Sequence, residues 1–136
     1  LVSVAGPVSN FIVATGALLL LGCISLSSDS GHSIITRIAQ GPYSGDFGSD
    51  SVLAPISMLL YVLMTINIVL AVFNLIPVPP LDGSHVLRHF LSDPVRMVYD
   101  RVGFFALLAL VYLGGGLLWS LIRPFLRFYV SILGKF

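Results

Sequence analysis

The chain has 136 residues, 57% of them hydrophobic and only 10% charged, with a mean hydropathy of +1.00. A soluble domain carries about a quarter charged residues, so folding in water would leave large apolar faces uncovered; an integral membrane protein is expected. A net charge of +1 offers no basic surface for nucleic acid, and the single cysteine, Cys23, rules out an internal disulfide framework.

Crossing a bilayer takes about 20 apolar residues. Three stretches qualify, at roughly 7–26, 52–75 and 102–122. The expected fold is all-α: a polytopic transmembrane helix bundle with three spans, the second interrupted, and an interfacial C-terminal helix at about 124–134. No internal repeat or low-complexity tract is visible. The sequence starts with Leu1, not Met, and shows no basic leader or small-residue cleavage site, so it is not expected to open on a signal peptide, and further sequence upstream is expected.

The first stretch begins "SVAGPVSNFIVATGALLLLG". Pro7 suits the first turn of a helix, where its missing N–H costs nothing. Gly6, Asn10, Ala14 and Ala17 recur at three- and four-residue steps, which puts small residues and one amide on a single stripe. Such a stripe lets a second helix approach closely, and the amide can hydrogen-bond across; ordinary small-residue packing produces the same pattern. Cys23 is a packing residue in an apolar run. The linker "SSDSGHSIITRIAQGPYSGDFGSDS" is rich in Gly, Ser and Asp and predicts a solvent-side loop, with one short interfacial turn around 34–39 and His32 as a solvated side chain.

The second stretch carries Asn67, Ala71 and Asn74 on one face. Amides within a span face protein, because lipid cannot satisfy them. Pro77, Pro79 and Pro80 follow. Each removes an N–H and restricts the residue before it, so the helix must end near Leu75. Unwound backbone at membrane depth is tolerated only inside protein or beside a water-filled cavity. A short helix restarts beyond Asp82-Gly83 and runs to Leu91, and in "SDP" Asp93 is the expected N-cap with Pro94 the first helical residue.

The third stretch runs into "LGGGLLWSLIRPFLRFYVSILGKF". Gly114 to Gly116 permit close packing or a bend. Arg123, Arg127 and Lys135, interleaved with Phe125, Phe128 and Tyr129, suit a helix lying at the interface, and Trp119 suits an interfacial anchor. The first connection holds Arg37 alone, whereas the second holds Arg88, Arg96 and Arg101. That bias places the second connection in the cytoplasm, and its arginines suit headgroup anchoring.

The break itself carries a motif. "NLIPVPPLDG", Asn74 to Gly83, resembles the N-x-x-P-x-x-P-L-D-G pattern of the site-2 protease family of intramembrane zinc metalloproteases, and "AGPVSN", Ala5 to Asn10, resembles the G-P-x-x-N helix start that precedes it there. The resemblance covers nearly the whole chain. It implies that Asp82 is a Zn2+ ligand, the third beside two histidines of an H-E-x-x-H helix, and that Asn10 and Asn74 line the cleft, where an amide positions substrate or an oxyanion. Gly6, Pro7, Pro77, Pro79, Pro80 and Gly83 would shape the motif. A catalytic zinc takes three protein ligands and keeps one place open. The resemblance also implies transmembrane protein substrates cut within the bilayer of a bacterial-type cell membrane, with the active site nearer the cytoplasmic side.

The sequence departs from that pattern at one point: it contains no H-E-x-x-H and no glutamate. The chain is therefore expected to be the C-terminal part of a protease core whose first helices lie upstream, and to be inactive alone. Three other possibilities stay open: a non-catalytic membrane scaffold, a transporter subunit with a broken helix, and a degenerate protease homologue. A local metal site is a further alternative, because His85 and His89 stand four residues apart just after Asp82. Solvated histidines near an interface are the simpler explanation of that pair.

Overall fold

The structure, a computed structural model, describes residues 2–41 and 52–136, with side chains from residue 5. Six helices and no strand are present among the described residues: α1 (Val2–Ser27), α2 (Asp29–Gln40), α3 (Leu53–Asn74), α4 (Asp82–Arg88), α5 (Asp93–Leu113) and α6 (Gly115–Leu133). Three stretches are long and apolar enough to cross a membrane: Ala5–Ser27 in α1, Leu53–Asn74 in α3 and Gly115–Leu133 in α6. Large apolar side chains such as Leu19, Leu59 and Phe105 stand exposed on the helices, as expected of faces that meet lipid rather than water. The protein is an all-α, multi-span membrane protein.

The third span is displaced from its expected place. Residues 102–122 do not form one helix: α5 ends at Leu113, Gly114 caps it by donating its N–H to the Leu110 carbonyl at 2.9 Å, and α6 starts at Gly115. Side-chain-free backbone at 114–116 makes a new helical start cheap. The residues expected as a separate tail helix, 124–134, lie within α6 and its C-terminal end, and Pro124 is inside that helix.

The linker also differs from expectation. Residues 29–40 form the full helix α2, not a single turn. Ser28 is its N-cap, with its hydroxyl accepting from the Gly31 N–H at 3.0 Å. Ile34, Ile35 and Ile38 are buried and give the helix its apolar face. His32 is exposed, as a solvated residue would be, yet its Nδ1 lies 3.2 Å from both Ser25 Oγ and the Phe136 carbonyl oxygen. The rest of the expected loop, 42–51, lies outside the described residues.

Two compact units are present, one made of Leu1–Phe11 and Ile68–Pro124, the other of Ile12–Asn67 and Phe125–Phe136. The second holds most of the buried apolar side chains, among them Ala14, Ala17, Leu18, Leu21, Ile35, Met64 and Leu133. Its α1 and α6 also meet through a hydrogen bond between Thr15 Oγ1 and the Tyr129 hydroxyl at 2.9 Å. The first unit carries the helix break and everything the motif contributes.

Candidate metal-ligand site

In the first unit α3 stops at Asn74, as the prolines require. Its last turn tightens: the Leu75 N–H donates to both the Ala71 and Val72 carbonyls, at 3.2 and 3.1 Å, and the Ile76 N–H to Phe73 O at 3.1 Å. Residues 75–81 are then non-helical, and the Pro79–Pro80 bond is cis. Two bonds, Val78 N–H to Ile76 O at 2.9 Å and Leu81 N–H to Val78 O at 3.0 Å, hold the turn together. The chain re-enters a helix at Asp82, and α4 ends at Arg88, short of the expected Leu91.

Glycines set how tightly this break is folded. A side chain on Gly83 would place its Cβ 2.5 Å from the Leu75 carbonyl oxygen and 2.7 Å from that of Ile76. Only a residue without a Cβ lets α4 begin so close to the end of α3. Gly103, on α5, plays the same part from outside: a Cβ there would stand 2.6 Å from the ring carbons of the buried Pro79. One turn earlier on the same face, the Tyr99 hydroxyl donates to the Pro77 carbonyl at 2.8 Å. Burial, and then the neighbouring Asp100 charge, raise the Tyr99 phenol above its ordinary value, which keeps it a donor. So α5 braces the break at two of its prolines.

Asp82 stands at the first position of α4, half-buried. Its Oδ2 lies against Gly6 of α1, in the space a Cβ on Gly6 would fill. The two sequence pieces that carry the resemblance, Gly6 in "AGPVSN" and Asp82 in "PPLDG", therefore touch. Among the described residues no ion pair neutralises Asp82. Pro7 is buried and sits inside α1 rather than at its first position. Ser9 hydroxyl donates to the Gly6 carbonyl at 2.8 Å, in the turn where Pro7 perturbs the backbone ladder. Asn10 and Asn74 are both half-buried, and neither amide hydrogen-bonds to Asp82 among the described residues. Asn67 is turned back on its own helix, donating to Leu63 O at 2.8 Å.

No three His, Cys, Asp or Glu side chains converge on a point among the described residues. His85 and His89, exposed on and just after α4, therefore do not complete a three-ligand set with Asp82. Instead they line a cavity of about 400 Å3 with Arg88 and Arg96. Arg88 is tied to Asp100 by an ion pair. Ser92, not Asp93, is the N-cap of α5, and Pro94 falls at the start of the helix as expected.

Residues 1–113 match the family described as Peptidase family M50. The chain belongs to this family, that of the site-2 proteases. A curated relative from Bacillus subtilis (strain 168), named "Putative zinc metalloprotease YwhC", is 30% identical over 128 residues. That match takes in 90% of this chain and 51% of the relative, so the chain spans about half the length of the curated relative it matches. No solved structure matches. The M50 match ends at residue 113, where α5 ends, and so includes the break, both motif pieces and the bracing helix. Tyr99 and Gly103 lie within it without belonging to either motif; only their four-residue spacing hinted that they share a face.

Proposed function

We propose that this chain supplies one wall of an intramembrane zinc endopeptidase in which Asp82 is a metal ligand. The carrying observation is the contact between Asp82 and Gly6, which seats an unpaired carboxylate in a cradle that any side chain at position 6 would occupy. A carboxylate at membrane depth is costly unless a positive partner meets it, and oxygen from Asp is an ordinary zinc donor. The residues present thus fit one side of such a centre. The two histidines and the glutamate base of H-E-x-x-H would come from elsewhere in the full-length protein.

Bound zinc would polarise the scissile carbonyl and activate water. The chain's own residues do the positioning. Gly83 and the prolines fold the break so that Asp82 leaves the helical path, while Tyr99 and Gly103 hold that fold from α5. Asn10 and Asn74, half-buried and not bonded to Asp82, would orient a substrate strand or donate to a developing oxyanion. The substrates are transmembrane segments of other proteins. The membrane is of bacterial type, with the break toward the cytoplasm, on the side of Arg88, Arg96 and Arg101. The upstream helices of the same full-length protein and the bilayer complete the assembly.

The test uses the full-length protein. Asp82→Ala is expected to lower zinc content and to bring cleavage of a transmembrane substrate to background, with helical content unchanged. Full zinc occupancy and normal cleavage in Asp82→Ala would overturn the ligand assignment. A full-length protein without H-E-x-x-H would leave the degenerate homologue or scaffold in its place.

A further inference from the structure

We infer that the cavity lined by His85, Arg88, His89 and Arg96 is a binding site for a phosphate group. The four residues come from one short stretch in the first unit. His85, Arg88 and His89 follow at three- and four-residue steps, so they share a face; Arg96 reaches the cavity from the first turns of α5. The space, about 400 Å3, is large enough for a phosphate with part of what it is attached to.

Donor supply in the cavity exceeds what the protein itself uses. Arg96 is held in place from two sides: one terminal nitrogen donates to the Arg88 carbonyl at 3.2 Å, the other stands 3.4 Å from Asp93. Its Nε is buried and has no partner. An orphaned donor of that kind is costly to leave unmade. Asp100 and Asp93 offset the two arginines in formal charge, but the Asp93 side chain is 90% exposed and only loosely engaged. The two exposed histidines add ring N–H donors to the lining. A ligand that brings several acceptor oxygens on one centre, with a negative charge, satisfies this set; guanidinium groups match phosphate geometry closely.

The surroundings point to a phospholipid as the source. Phe90, between His89 and the start of α5, is 82% exposed, and Met97 and Val98, beside Arg96, are 68% and 61% exposed. Cationic donors framed by exposed apolar side chains are the pattern of a headgroup boundary. Soluble phosphate has the same recognition chemistry, so both sources belong in the test.

The full-length protein, purified in detergent, is offered phosphatidylglycerol, diacylglycerol of the same acyl chains, and inorganic phosphate, with retention read by native mass spectrometry and calorimetry. Retention of phosphatidylglycerol over diacylglycerol is expected, falling about tenfold in Arg96→Gln. The double variant His85→Gln/His89→Gln leaves every ion pair of the cavity intact and is expected to weaken retention in the same direction, with an unchanged melting temperature. Inorganic phosphate binding as tightly, with the same sensitivity to both variants, would support the site with a soluble source. Binding of neither, or binding indifferent to both variants, would overturn the inference.

Discussion

The two units of this protein are packed internally by different means. In the unit of Ile12–Asn67 and Phe125–Phe136, side chains do the packing: Leu21, Ile35, Ile38, Met64 and Leu133 are fully buried, and the Thr15–Tyr129 hydrogen bond joins two helices. In the unit of Leu1–Phe11 and Ile68–Pro124, Ile68 and Ala71 are buried as well, but around the helix break the close contacts are made by missing side chains. Gly6 leaves room for Asp82, Gly83 for the carbonyls of Leu75 and Ile76, and Gly103 for Pro79. In the other unit Gly31, against the Ile24 carbonyl, is a comparable case. A side-chain core yields to substitution by degrees, because neighbours relax into part of the lost volume. Backbone set against a carbonyl, as at Gly83, has no such slack, whereas the Asp82 carboxylate against Gly6 can yield only by leaving its position. Around the break, tolerance to substitution is exchanged for fixed placement of the chain and of Asp82.

Substitution can break that contrast. The largest effect is expected for Gly6→Ala, which puts a methyl where Asp82 Oδ2 sits. Displacement of the carboxylate by about 1 Å costs on the order of a hundredfold in activity, so cleavage by the full-length protein is expected to fall that far while thermal stability changes little. Activity kept at the native level would show that Asp82 works elsewhere than against Gly6. Leu21→Ala is the counterpart in the other unit. It removes a fully buried side chain and is expected to cost about 2 kcal/mol of stability, measured by denaturation in detergent, with the cleavage of the surviving folded fraction unchanged. A loss of activity beyond the loss of folded protein would dissolve the distinction between the units.

Much of this was written in the sequence, and what was hidden has physical reasons. Proline chemistry alone placed the end of α3, since no helix continues through Pro77, Pro79 and Pro80. Asp82 and Gly6 were recognisable as parts of a family pattern, but their contact was not, because no local rule links residues so far apart in the chain. The third span was misplaced because 102–113 and 115–122 are both apolar, and hydropathy does not register the helix restart at Gly114–Gly115. The linker's polar composition hid α2, whose Ser28 cap and Ile34, Ile35 and Ile38 face were nonetheless there to be found. Choosing between Ser92 and Asp93 as a cap was beyond sequence, since both are good caps. The brace from Tyr99 and Gly103 carried only a shared-face spacing, with nothing to say what it faced.

That brace gives the smallest and most specific prediction. Tyr99→Phe removes the hydroxyl that donates to Pro77 O but keeps the ring. The bond is exposed, so its loss is expected to cost at most about 1 kcal/mol, far less than Leu21→Ala. Its signature lies in pH. Burial and the Asp100 charge raise the Tyr99 pKa in the folded protein above the ordinary value near 10. A group whose folded pKa is raised contributes stability that is present below the unfolded pKa and is lost as pH rises through the folded one. Melting curves from pH 8 to 11 are therefore expected to fall more steeply for the native protein than for Tyr99→Phe above pH about 10, the two converging as the phenol ionises and ceases to donate. Parallel curves would mean that the Tyr99 hydroxyl does not hold the break, leaving Gly103 against Pro79 as the contact through which α5 fixes the position of Asp82.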